Sequence, residues 1–137
     1  MLELLTIIVV LGVLGAIVVP SAARVGASVA GAHGDRRLAL VLRAAQAEAQ
    51  TGGAPVRVAV APDGEYSVTR SDGEQVAAGR LCAGVSSTYP DGTLEFTERG
   101  WARLPGAVSP RAGHFTVTGG AHSGTVVVQL SGCVRCL

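Results

Sequence analysis

The chain has 137 residues, a formal net charge of +1 and 48% hydrophobic residues. That length leaves room for one globular domain beside any membrane segment, and the near-neutral balance removes a bulk electrostatic case for nucleic acid or an anionic membrane surface. All 11 basic residues are Arg, aromatics make up only 4%, and there are three cysteines, Cys82, Cys133 and Cys136.

The opening stretch, Met1 to Pro20, organises the rest. From Leu4 to Val19 every side chain is apolar or small except Thr6. Sixteen such residues make about 24 Å of helix at about 1.5 Å per residue, against the roughly 20 residues that a bilayer core asks for. No later segment is apolar enough to cover such a helix on all sides as a core helix. A signal peptide is disfavoured, because there is no basic n-region and a carboxylate, Glu3, stands in its place. A plain membrane anchor fits the hydropathy but leaves Glu3 unexplained, since a carboxylate driven to mid-bilayer costs about 2.5–3.5 kcal/mol.

The combination of Glu3, Leu4-Leu5, Gly12, Gly15-Ala16 and Pro20 resembles the N-terminus of type IV pilins and pseudopilins, the prepilin-type cleavage and methylation motif. The resemblance implies a helix that sits first in the inner membrane and then in a filament core. Glu3 would pair there with the N-terminal amine of a neighbouring subunit, while Gly12, Gly15 and Pro20 shape the assembly surface. It departs at one point: only Met1 and Leu2 precede Glu3, where the family carries a basic leader ending in Gly. A start upstream of Met1 or a trimmed chain is therefore expected, with a prepilin peptidase as a partner if that leader exists.

Past Pro20, which kinks a helix and removes one backbone bond, the chain is rich in Ala, Val and Gly. Gly26, Gly31 and Gly34 each cost a helix about 1 kcal/mol relative to Ala. An interruption is expected near Gly31 to Gly34, with Asp35 as the N-cap of the next helical segment. Arg36 to Gln50 is an amphipathic helix, with Leu38, Val41, Leu42, Ala45 and Ala49 on the core face and Arg36, Arg43, Gln46 and Gln50 on the other. Thr51-Gly52-Gly53 ends it.

From Pro55 the period changes to two. Val56, Val58 and Val60 mark a half-buried strand, and Pro62-Asp63-Gly64 turns into a second strand over Tyr66 to Arg70. Further strands are expected at Gln75 to Ala78, Arg80 to Val85, Thr93 to Thr97, Trp101 to Leu104, Phe115 to Thr118, Thr125 to Leu130 and Cys133 to Leu137. Loops are expected at Ser86 to Gly92, Pro105 to Gly113 and Gly119 to Gly124. One long helix followed by about eight short strands gives an α+β unit with the helix packed on antiparallel sheet.

Three stretches resemble the GspH/FimT pseudopilins: Leu38 to Val60 (LALVLRAAQAEAQTGGAPVRVAV), Gly92 to Arg103 (GTLEFTERGWAR) and Thr125 to Arg135 (TVVVQLSGCVR). The implied fold is pilin-like, a long N-terminal hydrophobic helix on an antiparallel sheet or sandwich. Residues 1–23 would form its membrane and filament-core half, 24–53 its amphipathic continuation, and 54–137 a β-rich domain in the periplasm or outside the cell.

Catalytic chemistry has little support. His33, His114 and His122 have no metal-ligand spacing, and Cys133-x-x-Cys136 lacks a second pair. Neither a metal nor a cofactor is expected. An exported domain meets an oxidising compartment, so a disulfide from Cys82 to Cys133 or Cys136 is a candidate. In the FimT branch a "GR.R" end is linked to DNA binding. Here Gly132-Cys133-Val134-Arg135 keeps only Arg135, to which Arg99, Arg103 and Arg111 would add phosphate contacts if they cluster. The resemblance thus implies a non-enzymatic minor pilin or pseudopilin of a type II secretion pseudopilus or a type IV pilus, joined to other pilins through its helix. The alternative is a minor pilin that binds double-stranded DNA during uptake, and a third reading is an anchored β-domain with no filament role.

Overall fold

The structure is a computed structural model. It describes residues 2–137, with only the helical backbone described over 11–32. A single helix, α1, runs over Leu2–Gly52, about 75 Å at about 1.5 Å per residue. Nine strands follow: β1 (Val56–Val60), β2 (Glu65–Arg70), β3 (Gln75–Arg80), β4 (Gly84–Ser87), β5 (Thr93–Phe96), β6 (Ala102–Arg103), β7 (Gly113–Gly119), β8 (His122–Val128) and β9 (Val134–Cys136). They form two antiparallel sheets, one in the order β3-β2-β1-β5-β6 and the other β4-β7-β8-β9.

Expectation and structure part company at the helix. Neither the interruption near Gly31 to Gly34 nor a cap at Asp35 is present, because α1 passes straight through both. At Gly34 the reason is packing. A Cβ there would stand 2.8 Å from Val117 Cγ1, so glycine lets the helix settle on β7. One residue on, the Asp35 side chain lies over Gly124 of β8, where a Cβ would also come within 2.8 Å of it. Burial against the sheet offsets the local helix cost of glycine, which is only about 1 kcal/mol.

The later half of α1 supplies one wall of the core. Leu38, Leu42, Ala45 and Ala49 are buried at the expected helical spacing, Ala39 joins them, and Val41 is half-buried. They meet Val56, Val58, Leu94 and Phe96 from the first sheet and Phe115, Val117, Val126 and Val128 from the second. Strands alternate as a half-buried sheet should: β1 buries Val56, Val58 and Val60 and turns Arg57 outward. Tyr89 packs its ring 5.5 Å from that of Phe115, and its hydroxyl donates to the Arg111 carbonyl at 3.3 Å.

Three strand boundaries are corrected. Arg80 to Val85 is not a strand of its own, since β3 ends at Arg80 and β4 begins at Gly84. Ser86 and Ser87 belong to β4 rather than to a loop, and the stretch ends in a single 3-10 turn at Pro90–Gly92. The expected loose loop at Gly119 to Gly124 is a tight hairpin in which Gly119 pairs with His122. Gly120 supplies the positive φ of 61° that a two-residue turn requires.

Candidate assembly surface

The first turns of α1 are apolar and uncovered. Leu2, Leu4, Leu5, Ile7, Ile8, Val9 and Val10 are 51–86% exposed, and Glu3 beside them is exposed as well. Thr6, the other polar residue here, folds its hydroxyl back to donate to the Leu2 carbonyl at 2.8 Å, a common local bond for a helical threonine. That bond removes a polar tip from an otherwise aliphatic surface and leaves Glu3 as its one ionisable group. Contiguous apolar exposure of this kind marks an interaction surface with lipid or protein. Gly12, Gly15 and Pro20, assigned to the same surface, have side positions outside the described residues. Among the described residues no helix is long and apolar enough to cross a membrane.

The four candidate phosphate ligands are divided. Arg99, Arg103 and Arg111 lie along one edge of the first sheet: Arg103 bridges to Pro110, and the Arg111 amide donates to the Ala102 carbonyl at 2.8 Å. Arg135 is on β9 of the other sheet, exposed. Arg103 is already engaged. Its Nε donates to Glu95 at 2.8 Å, and Glu95, only 8% exposed, also has Arg57 at 3.7 Å. The register places Arg57, Glu95 and Arg103 side by side across β1, β5 and β6. A carboxylate held between two guanidiniums neutralises much of what they offer a phosphate, so Arg103 is corrected from a free contact to a structural ion pair. Arg99 stacks its guanidinium 5.8 Å from the centre of the half-exposed Trp101 ring.

The candidate disulfide from Cys82 to Cys133 or Cys136 is not formed in the structure. All three thiols are free. Cys82 precedes β4 and Cys136 ends β9, at opposite edges of a four-stranded sheet. Three strand spacings of about 4.8 Å each separate those edges, well beyond the Cα separation of about 4.4–6.8 Å that a disulfide needs. The histidines are scattered, His33 on α1, His114 on β7 and His122 at the start of β8, each exposed. Among the described residues no three His, Cys, Asp or Glu side chains converge as a metal set would.

Sequence reasoning missed the joint that holds the two sheets and the helix in register. Gly100, in the β5–β6 turn, and Gly132, in the β8–β9 turn, touch so closely that a Cβ on Gly132 would collide with the Gly100 carbonyl oxygen. Both have positive φ, 83° and 81°. Gln46 donates to that same carbonyl at 2.9 Å, Gln50 reaches the Arg99 carbonyl at 3.4 Å, and Arg43 donates to the Val134 carbonyl at 2.9 Å. Arg43, Gln46 and Gln50, which amphipathic spacing placed only on the face away from the core, therefore form a clamp. A further link, the ion pair of Glu48 with Arg70, ties the helix to β2. That bond to Glu48 holds the Arg70 guanidinium above the ordinary arginine pKa.

The comparisons agree with this architecture. The family model described as type II transport protein GspH matches residues 36–132, from the later part of α1 through β8. Among solved structures, the type IV minor pilin FimU of Pseudomonas aeruginosa is similar with a TM-score of 0.58 and 16% identity, over 76% of this chain and 90% of that one. Among curated proteins none matches in sequence. With a fold shared with that minor pilin and well over half of its length matched by one family model, the chain belongs to the GspH family of pilin-like proteins.

Proposed function

We propose that the protein is a non-enzymatic minor pilin or pseudopilin whose first helical turns join it to other pilins in a filament. The observation that carries this reading is the uncovered aliphatic surface of residues 2–10 with one carboxylate, Glu3, at its edge. Apolar area buried on assembly contributes about 25 cal/mol per Å². A carboxylate in that setting is costly alone and is best retained opposite a cation, the role assigned to the amino terminus of a neighbouring subunit. The chain would wait in the inner membrane, with its β-rich part outside the cytoplasm, before entering a secretion pseudopilus or a type IV pilus.

The experiment is co-isolation from detergent-solubilised membranes. Full-length chain should bring partner pilins with it, and Glu3→Ala should lose them while the domain stays folded. Undiminished recovery of partners with Glu3→Ala would remove the pairing role of Glu3. The DNA-binding alternative rests on Arg135, Arg99 and Arg111, and the Arg99 stack on Trp101 is the observation in its favour. A low-salt gel shift with double-stranded DNA that weakens steeply with salt would support it.

A further inference from the structure

The two sheets present four edges, and three of them are short. β4 has 4 residues, β9 has 3 and β6 has 2. The fourth, β3, has 6, and from Gln75 to Gly79 it carries no charge and no proline, two of the devices that blunt an edge, while a bulge, a third such device, falls only near its start. Its outer side leaves a row of backbone N–H and C=O groups unpaired, which an extended peptide can complete.

Along the inner face of this edge runs an apolar groove of about 200 Å³ between α1 and the β2–β3 hairpin, lined by Val41, Ala44, Tyr66, Val68, Val76 and Ala77. It exists because α1 covers β1 and β5 but stops short of β3, whose residues are nearly all exposed. The register shift between Val68 and Thr69 sets Ala77 against Val68 and Gln75 against Thr69. Val76 is thus the extra residue of a bulge, and it lines the groove together with Ala77. Tyr66 lies flat over Gly79, where a Cβ would meet its ring, and closes the far end. Carboxylates outnumber guanidiniums on the flanking segments: Glu48, which also lines the groove, and Glu74 share Arg70, Asp63 pairs with Arg80, and Glu65 and Asp72 add to them against Arg37, one helical turn before Val41.

We infer that β3 and its groove accept an extended segment of another protein, apolar at alternate positions and basic at its ends. The open edge selects an extended backbone, the groove takes every second side chain, and the acidic border selects the flanking charge. This goes beyond the filament reading and stands without it, since the groove lies far from residues 2–10 along α1.

The test uses the full-length chain in detergent micelles and a synthetic peptide of alternating valine and threonine with lysine at each end, followed by calorimetry. Binding with a Kd on the order of 100 µM or tighter is expected. Ala77→Glu, which puts a charge into the groove, should weaken it by about tenfold or more, and Ala78→Glu, on the opposite face of the same strand, should change it by less than about twofold. Both positions are exposed, so neither variant disturbs the core. The same peptide with glutamate ends should bind about tenfold more weakly. No binding at about 1 mM peptide, equal loss in the two variants, or indifference to the flanking charge would overturn the proposal. Self-association abolished by Ala77→Glu without peptide binding would overturn it in favour of a second copy of this chain.

Discussion

One helix, two fates: residues 2–10 and residues 38–49 of α1 are both dominated by aliphatic side chains, yet the first set is 51–86% exposed while Leu38, Leu42, Ala45 and Ala49 are at most 2% exposed. The later half is covered by the chain's own strands, β1 and β5 from one sheet and β7, β8 and β9 from the other. Residues 2–10 have no such cover among the described residues. Hydrophobicity alone therefore does not say what a helix is for. The same aliphatic chemistry serves folding where a partner is built into the chain and, in the function proposed above, assembly where the partner lies outside it.

A matched pair of truncations separates the two halves most sharply. Leu42→Ala should destabilise the domain by about 2–5 kcal/mol, through lost transfer energy and the cavity left behind. Leu5→Ala, at 68% exposure, should change domain stability by less than about 0.5 kcal/mol while weakening recovery of partner pilins. Chemical denaturation of the full-length variants in detergent reads the first effect, and co-isolation reads the second. A comparable loss of stability from Leu5→Ala would mean that the N-terminal turns belong to the folding unit after all.

The joint at the far end of the sheets should give the next largest effect. Gly132→Ala combines a positive φ with a collision against the Gly100 carbonyl, and a strained left-handed residue alone costs on the order of 1–3 kcal/mol. A lower denaturation midpoint with an unchanged slope is the expected signature. Gln46→Ala should cost about 1–2 kcal/mol, because the Gly100 carbonyl loses its side-chain donor. Removing Gln50, whose bond is longer and exposed, should cost less than that.

The smallest effect is a pH dependence. Burial pushes the Tyr89 hydroxyl up to about 12, partly opposed by Arg111. The folded state therefore holds this proton after the unfolded chain has released it near pH 10. The contribution is fully present below about pH 10 and is lost as pH rises toward about 12. Its size is about 1 kcal/mol after allowance for solvent screening of a part-buried hydroxyl. Tyr89→Phe should flatten thermal stability across that window relative to the unsubstituted chain.

What was legible in the sequence was periodicity. Leu38, Leu42, Ala45 and Ala49 announced a helix face, and Val56, Val58 and Val60 a strand, because each repeat is written in neighbouring residues. What escaped depends on partners far along the chain. Gly34 looks like a breaker until Val117 is seen to need the space. Gln46 and Arg43 look solvated until the two turns arrive beneath them. Arg103 looks free until β5 brings Glu95 alongside. On the candidate assembly surface, Glu3 and the aliphatic turns were readable from order alone, since nothing else in the described chain folds over them.

The decisive quantity is the share of the chain found in sheared filaments relative to membranes, compared between the unsubstituted protein and Glu3→Ala at equal expression. If Glu3 pairs subunits, Glu3→Ala accumulates as folded protein in the membrane and is depleted from the filaments. Equal shares for the two proteins would contradict that role.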